Sequence, residues 1–192
     1  MPNRVRHAVL CIAALVALTT DVHAERPTLH AEIDPLPFAL GGYGIQIGLA
    51  HKALPGWRFG LGNFSLEVPD ASSQLNSDNK GFHLKVRRSH ALYALRFFST
   101  DRRGWCVGGS ARYLRLEYTH DDSPGAKARL AEVSVEAIGG YKWHPFKAGF
   151  YVMPWLAIAL PLYATADPVV GDSEYNPDPL SVFATANLGW QF

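Results

Sequence analysis

The chain has 192 residues, with 18 lysines and arginines against 17 aspartates and glutamates, a formal net charge of +1, and 48% hydrophobic residues. So even a balance leaves no electrostatic footprint for nucleic acid or an acidic partner, and the length suits one domain. A mean hydropathy of -0.03 fits either a soluble domain or a barrel whose polar and apolar faces cancel.

Arg4 and Arg6 precede an apolar run from Ala8 to Leu18, and Val22-His23-Ala24 follows with small residues at the positions a signal peptidase reads. This predicts a cleavable secretory signal over 1–24 and a single domain over 25–192. The run falls short of the roughly 20 apolar residues of a spanning helix. Cleavage would remove Cys11 and leave Cys106 alone, so no intramolecular disulfide is expected.

Period-two alternation then predicts eight strands at 29–40, 43–52, 57–68, 81–98, 105–118, 128–143, 150–163 and 181–192. Their apolar faces include Tyr43, Ile45, Ile47 and Leu49, then Trp57, Phe59 and Leu61, then Ala91, Tyr93, Leu95 and Phe97. Further along come Trp105, Val107 and Ala111, then Val133, Val135, Ala137, Tyr141 and Trp143, then Phe150, Val152, Leu156, Ile158, Leu160 and Leu162. Short turns ending in Gly56, Gly104 and Gly149 each lead at once into an aromatic residue, as at a lipid–water boundary. Trp57, Trp105, Trp143, Phe150, Trp190 and Phe192 are therefore the expected aromatic girdle. The connections at 69–80, 119–127 and 164–180 are longer and polar, while the one at Gly41-Gly42 is tight. Phe64, Leu66 and Val68 fall out of phase with Trp57, as do Phe82, Leu84 and Val86 with Tyr93, and Leu114 and Leu116 with Val107. β-Bulges or extensions above the bilayer would account for these shifts. Pro35, Pro37, Pro154 and Pro161 each remove a ladder donor.

From Val182 to Phe192 the strand keeps Val182, Ala184, Ala186, Leu188, Trp190 and Phe192 on one face, with Phe183, Thr185, Asn187, Gly189 and Gln191 on the other. This ending resembles the C-terminal signature of Gram-negative outer-membrane barrels. Together with the signal and the turn–loop alternation, it resembles in architecture the transmembrane domain of OmpA, OmpX and the OmpW type. The resemblance implies an all-β, eight-stranded antiparallel transmembrane up-and-down β-barrel in the cell outer membrane. It also implies membrane lipid and lipopolysaccharide as partners, and a last strand read by the barrel-assembly machinery.

On this frame the inward positions are Glu32, Asp34, Arg58, Arg88, His90, Arg96, Glu132, Glu136 and Lys142, an interior charge network whose members must pair. Inward Tyr151, Met153, Trp155 and Tyr163 add to a filled lumen. The leading functional reading is a non-enzymatic surface or envelope protein without cofactor or metal. A narrow conduit for small or hydrophobic molecules, a lipid A-modifying enzyme and a soluble periplasmic lipocalin-like barrel are the alternatives. The enzyme would need Ser110 or Ser134 to meet His90 and Glu136, and the chain lacks the His-x-Ser pair of the lipid A deacylase family. Asp167, Asp172, Glu174 and Asp178 in the last loop are read as a solvated acidic face rather than a Ca²⁺ site. Arg87, Arg88, Arg112 and Arg115 are placed near the outer leaflet, where interfacial snorkelling is the leading account and pairing of the outward-pointing ones with lipopolysaccharide phosphates is the alternative.

Overall fold

The computed structural model describes residues 26–70, 77–146 and 149–192, so the expected signal lies outside the described residues. Eight long strands run antiparallel and close into a barrel: β1 (Thr28–Ile33), β2 (Tyr43–Ala50), β3 (Trp57–Glu67), β4 (Phe82–Phe97), β5 (Gly104–His120), β6 (Ala128–Lys142), β7 (Phe150–Ala164) and β10 (Ser181–Gln191). A small hairpin, β8 (Val169–Val170) and β9 (Ser173–Glu174), stands in the last long connection. Each strand pairs with its neighbour in the chain, and β10 closes the ring on β1.

The first expected strand, 29–40, is a correction. β1 ends at Ile33 and a short helix, α1 (Pro35–Ala39), follows. Asp34 caps it, accepting a hydrogen bond from the Leu36 backbone nitrogen at 3.1 Å. Pro35 sits in the first turn, where no N–H is needed, whereas in the strand both prolines would have broken the ladder.

The outer surface is apolar around the whole ring: Leu29, Ile45, Ile47, Leu49, Phe59, Leu61, Leu92, Val107, Val135, Ile158, Leu160 and Val182 all point outward and are exposed. A soluble lipocalin-like barrel would need the reverse arrangement, and this surface excludes it. At the rim carrying the short turns, Trp57, Trp105, Trp143, Phe150, Trp190 and Phe192 face outward, with ring contacts Trp57–Phe59, Trp105–Tyr141 and Phe150–Trp190. Along β5 the belt runs from Trp105 to Tyr113. That is about 27 Å of strand at about 3.4 Å per residue, or about 20 Å of height at a tilt near 40°. Gly56 and Gly104 take positive φ, 75° and 74°, at their turns. Gly149 does not; it is required because a Cβ there would lie 2.3 Å from the Gln191 carbonyl oxygen.

The phase changes have two causes. On β3 and β5 the backbone never slips: Phe64 and Leu66, and Leu114 and Leu116, continue the inward row begun by Arg58 and Cys106. On β4 the register shifts between Val86 and Arg88, and Arg87 is the extra residue. Below that bulge the assigned faces are reversed: Tyr93, Leu95 and Phe97 are buried inside, while Leu92 faces out. Glycines on the inner face make room for them, since a Cβ on Gly60 would lie 2.4 Å from the Tyr93 hydroxyl and one on Gly108 2.9 Å from Leu95. A second register shift beside Val133 turns Tyr163 outward, so it does not fill the lumen. Pro161 sits at that shift and past the last β7–β10 pair, Ser181–Ala159.

Two inner clusters result. Tyr93, Leu95, Phe97, Cys106, Tyr151 and Met153 fill the half nearer the short turns. Leu66, Phe82, Val86, Leu114, Leu116, Tyr118 and Leu130 fill the long-loop end, closed over by Val170 and Tyr175 from the β8–β9 region. Gly60→Val should be destabilised by about 1–3 kcal/mol, because its Cβ would already lie 2.4 Å from the Ile47 carbonyl oxygen as well as from Tyr93. The urea midpoint of the folded barrel should fall accordingly, whereas Gly62→Ala, whose Cβ meets only ordinary contacts from 3.6 Å, should leave it in place.

Candidate functional site

The lumen is built in layers. Nearest the short turns, Arg58 and Glu32 pair at 2.5 Å with side chains 1% and 0% exposed. The remaining Glu32 lone pairs are used too: Tyr151 donates its hydroxyl to Oε1 at 2.6 Å, and Asn187 donates Nδ2 to Oε2 at 2.9 Å. Arg58 also reaches the Tyr151 hydroxyl and the Met153 sulfur, both at 3.3 Å, and lies against the rings of Tyr93 and Phe97. Lys142 sits 4.0 Å from the Tyr151 ring centre and donates to Gln191 Oε1 at 3.0 Å. His30 is buried edge-on to Tyr151. This layer is a solid plug, as expected where eight strands leave only side-chain width.

Above it, Arg112 Nη1 lies 2.8 Å from Glu136 Oε1, Ser110 donates its hydroxyl to Glu136 Oε2, and the Arg112 guanidinium lies 4.8 Å from the Phe64 ring centre. A chamber of about 50 Å³ separates this layer from the plug.

Of the expected interior charges, Glu32, Asp34, Arg58, Glu136 and Lys142 are buried in the lumen, and Glu132 lies half-buried on the same inner row of β6. Arg88, His90 and Arg96 are corrections. The β4 bulge and reversed lower face put Arg88 and His90 outside, where His90 Nδ1 lies 2.8 Å from Asn63 Nδ2. Arg96 is on the outward row at the short-turn rim, donating to the carbonyl oxygens of Pro55 and Phe97 at 2.9 Å. Arg112, expected near the outer leaflet, points inward. His90, being outside, does not meet the inward Ser110, Ser134 and Glu136, so the residues of the enzyme reading do not converge. Among the described residues, no three His, Cys, Asp or Glu side chains gather as a metal site. His30, Tyr93 and the Arg112–Glu136 pair were missed. His30 and Tyr93 needed the register, because alternation alone does not say which face is inside.

A second feature lies outside the barrel, beyond the apolar belt on the long-loop side. Arg87 and Arg129 each bind Glu117 Oε2 at 2.7 Å, and Lys127 binds Oε1 at 3.2 Å. Arg129 above all, then Arg87 and Lys127, hold the Glu117 carboxyl down at about 2. Arg88 and Arg115 stand beside this cluster as direct register partners, both exposed and, among the described residues, without an ion pair. Further from the membrane, His83 bridges two connections, with Nδ1 2.9 Å from Asp70 and Nε2 3.0 Å from Asp121.

No protein-family model matches the chain, and no curated protein matches it. Among solved structures it is similar to Neisserial surface protein A, with 12% identity over 86% of this chain and 96% of that one and a TM-score of 0.49. It is also similar to a major outer membrane protein from Thermus thermophilus, with 12% identity over 88% and 100% of the two chains and a TM-score of 0.45.

Arg58→Ala leaves Glu32 buried without its cation and should cost about 3–5 kcal/mol, read as a drop in the denaturant midpoint. Arg58→Ala/Glu32→Leu should recover much of that loss. Hydrogen bonds to Asp121 and Asp70 raise the His83 pKa above its ordinary 6.5. The stabilisation from this bridge is then complete below pH 6.5 and disappears as pH rises through the raised value. Protection factors in the connection after β5, corrected for the base-catalysed intrinsic exchange rate, should therefore fall with that rise, and His83→Gln should remove this fall.

Proposed function

We propose that the protein is a non-enzymatic outer-membrane barrel of the cell envelope, and that the exterior of β4, β5 and β6 holds lipopolysaccharide phosphates. The observation that carries the reading is the exposed Arg88–Arg115 pair just past the apolar belt. Two like charges directly across a ladder repel each other, and an anion seated between them removes that cost. A phosphate fits, because guanidinium groups engage its oxygens two at a time. Arg87, Lys127 and Arg129 enlarge the basic field, and Glu117 keeps them oriented. The alternating strand ending at Phe192 serves, on this reading, as the element the barrel-assembly machinery takes up.

Two measurements on one preparation test it. The full chain, expressed and recovered from outer membranes, should migrate differently on SDS gels before and after boiling. Folded protein should then bind phosphorylated lipid A at low salt, and Arg88→Ala/Arg115→Ala should bind it roughly tenfold or more weakly, a loss of about 1.4 kcal/mol or more. Equal binding of phosphorylated and dephosphorylated lipid A would leave the patch as ordinary interfacial arginine and sink the lipopolysaccharide assignment.

A further inference from the structure

Between β1 and β10 the barrel wall has a stretch that no strand continues. β1 pairs with β10 from His30–Gln191 to Ile33–Leu188, whereas β10 pairs with β7 as far as Ser181–Ala159. Among the described residues, Ser181 to Asn187 therefore has a strand neighbour on one side only, and α1 covers the other. Pro37 anchors the cover from beneath and the Glu67 N–H holds its far end at the Leu40 carbonyl, 3.0 Å away; at the seam itself the Asp34 backbone N–H donates to the Gly44 carbonyl at 3.0 Å, and the Thr185 hydroxyl donates to Asp34 Oδ1 at 2.7 Å. Phe38 on α1 and Ile33 beside it face outward, 52% and 47% exposed.

Both sides of this seam border the lumen chamber, Asp34, Gly44 and Gln46 on one and Phe183 and Asn187 on the other. Three buried donors that border the chamber lack a hydrogen-bond partner, Arg58 Nε, Tyr93 Oη and Arg112 Nε, and one acceptor there, Glu136 Oε1, has only its ion pair with Arg112 and lacks a hydrogen bond, so a hydroxyl, which both accepts and donates, suits the set. Buried donors are rarely left so. Arg58 and Arg112 are already neutralised by Glu32 and Glu136, and Asp34 adds a carboxylate at the seam. An anionic head is thus disfavoured, and an uncharged oxygen acceptor is what these donors lack.

We infer that the chamber is a binding site for the head of a single-chain apolar molecule ending in an uncharged oxygen acceptor, a fatty alcohol or ester, admitted sideways from the membrane between β10 and β2 past α1. The chamber volume of about 50 Å³ takes the head and its first carbons, against about 10–15 Å³ for one water. The rest of the chain lies in the seam, between Phe38 and lipid. The seam's role rests on the barrel lying in a membrane.

Trp155 lines the chamber and donates to Asn187 Oδ1 at 3.2 Å. The chain has five tryptophans, so replacing Trp57, Trp105, Trp143 and Trp190 with Phe leaves Trp155 as the single reporter. In vesicles, dodecanol brominated beside its hydroxyl should quench Trp155 saturably, and dodecanol brominated at the far end should quench it weakly. Gly62→Met should abolish the saturable component, since a Gly62 side chain enters the chamber with its nearest contacts, Gln46 and Ala91, at 3.6 and 3.7 Å. Thr185→Val should speed the onset severalfold. Indifference to the bromine position, or saturable quenching that survives Gly62→Met, overturns the site. An unchanged onset in Thr185→Val overturns the sideways route. The boiling-dependent gel shift, read on every variant, separates these outcomes from failure of the barrel reading, which would abolish the shift itself.

Discussion

Closure of the ring depends on four paired positions, His30 to Ile33 against Gln191 to Leu188, with the Phe192 backbone nitrogen donating to the Leu29 carbonyl at 2.9 Å. In lipid an open edge is not tolerated, because each unsatisfied backbone group costs several kcal/mol. Such a short ladder is a weak latch by itself. The same pairs carry Glu32 into the lumen, where it gathers Arg58 from β3, Tyr151 from β7 and Asn187 from β10. Burying either ion alone would cost several kcal/mol. Glu32 is therefore acceptable only when four strands are in place together, which couples closure of the wall to filling of the lumen.

The taller strands meet two solvents in turn. Where lipid lies outside, β3 shows Trp57, Phe59 and Leu61 to the exterior and Arg58, Gly60 and Gly62 to the lumen. Beyond the belt, where water lies outside, the apolar residues Phe64, Leu66 and Val68 turn to the interior. The change needs no distortion, only one shift of the apolar set from odd to even positions, and β5 repeats it between Tyr113 and Leu114. The upper core this creates holds the β8–β9 region through Val170 and Tyr175. It also fixes the strand framework on whose outer side Glu117 collects its three cations.

Much of this was legible in the sequence because period two is a strong signal when kept over a whole strand. β2, β6 and β10 have the faces their alternation predicts, and seven of the eight strands lie within two residues of expectation at each end. Two failures share one origin. On β4 the aromatic residues were assigned to lipid, but aromatics also suit a lumen whose facing positions are glycine, and Gly48 and Gly60 sit on neighbouring strands. Only register brings them together. The misplacement of Arg88, His90 and Arg96 followed from that one inversion. At 29–40 the prolines were noted as costs to a strand, yet Asp34 with Pro35 after it is also a helix start. The local signal was present, and the expectation of an unbroken strand overrode it.

The wall is lowest where the chemistry of the lumen lies nearest to lipid. β1 and β2 have 6 and 8 residues, against 16 and 17 in β4 and β5, and β5 stands opposite β1 in the ring. A strand pair long enough to carry the basic cluster clear of the membrane cannot also leave a gap within it. A strand as short as β1 leaves a gap but has no height on which to mount a cluster. The asymmetry therefore separates two chemistries that would interfere if adjacent. The arginines proposed to take phosphate stand past the apolar belt on the tall side, while on the low side Phe38 and Ile33 face outward beside the seam under α1. Arg112 links them, since it projects from the tall wall into the chamber that Asp34, Gly44 and Gln46 of the low wall also line. Its pairing with Glu136 keeps that chamber from presenting a net positive charge to the lipid side.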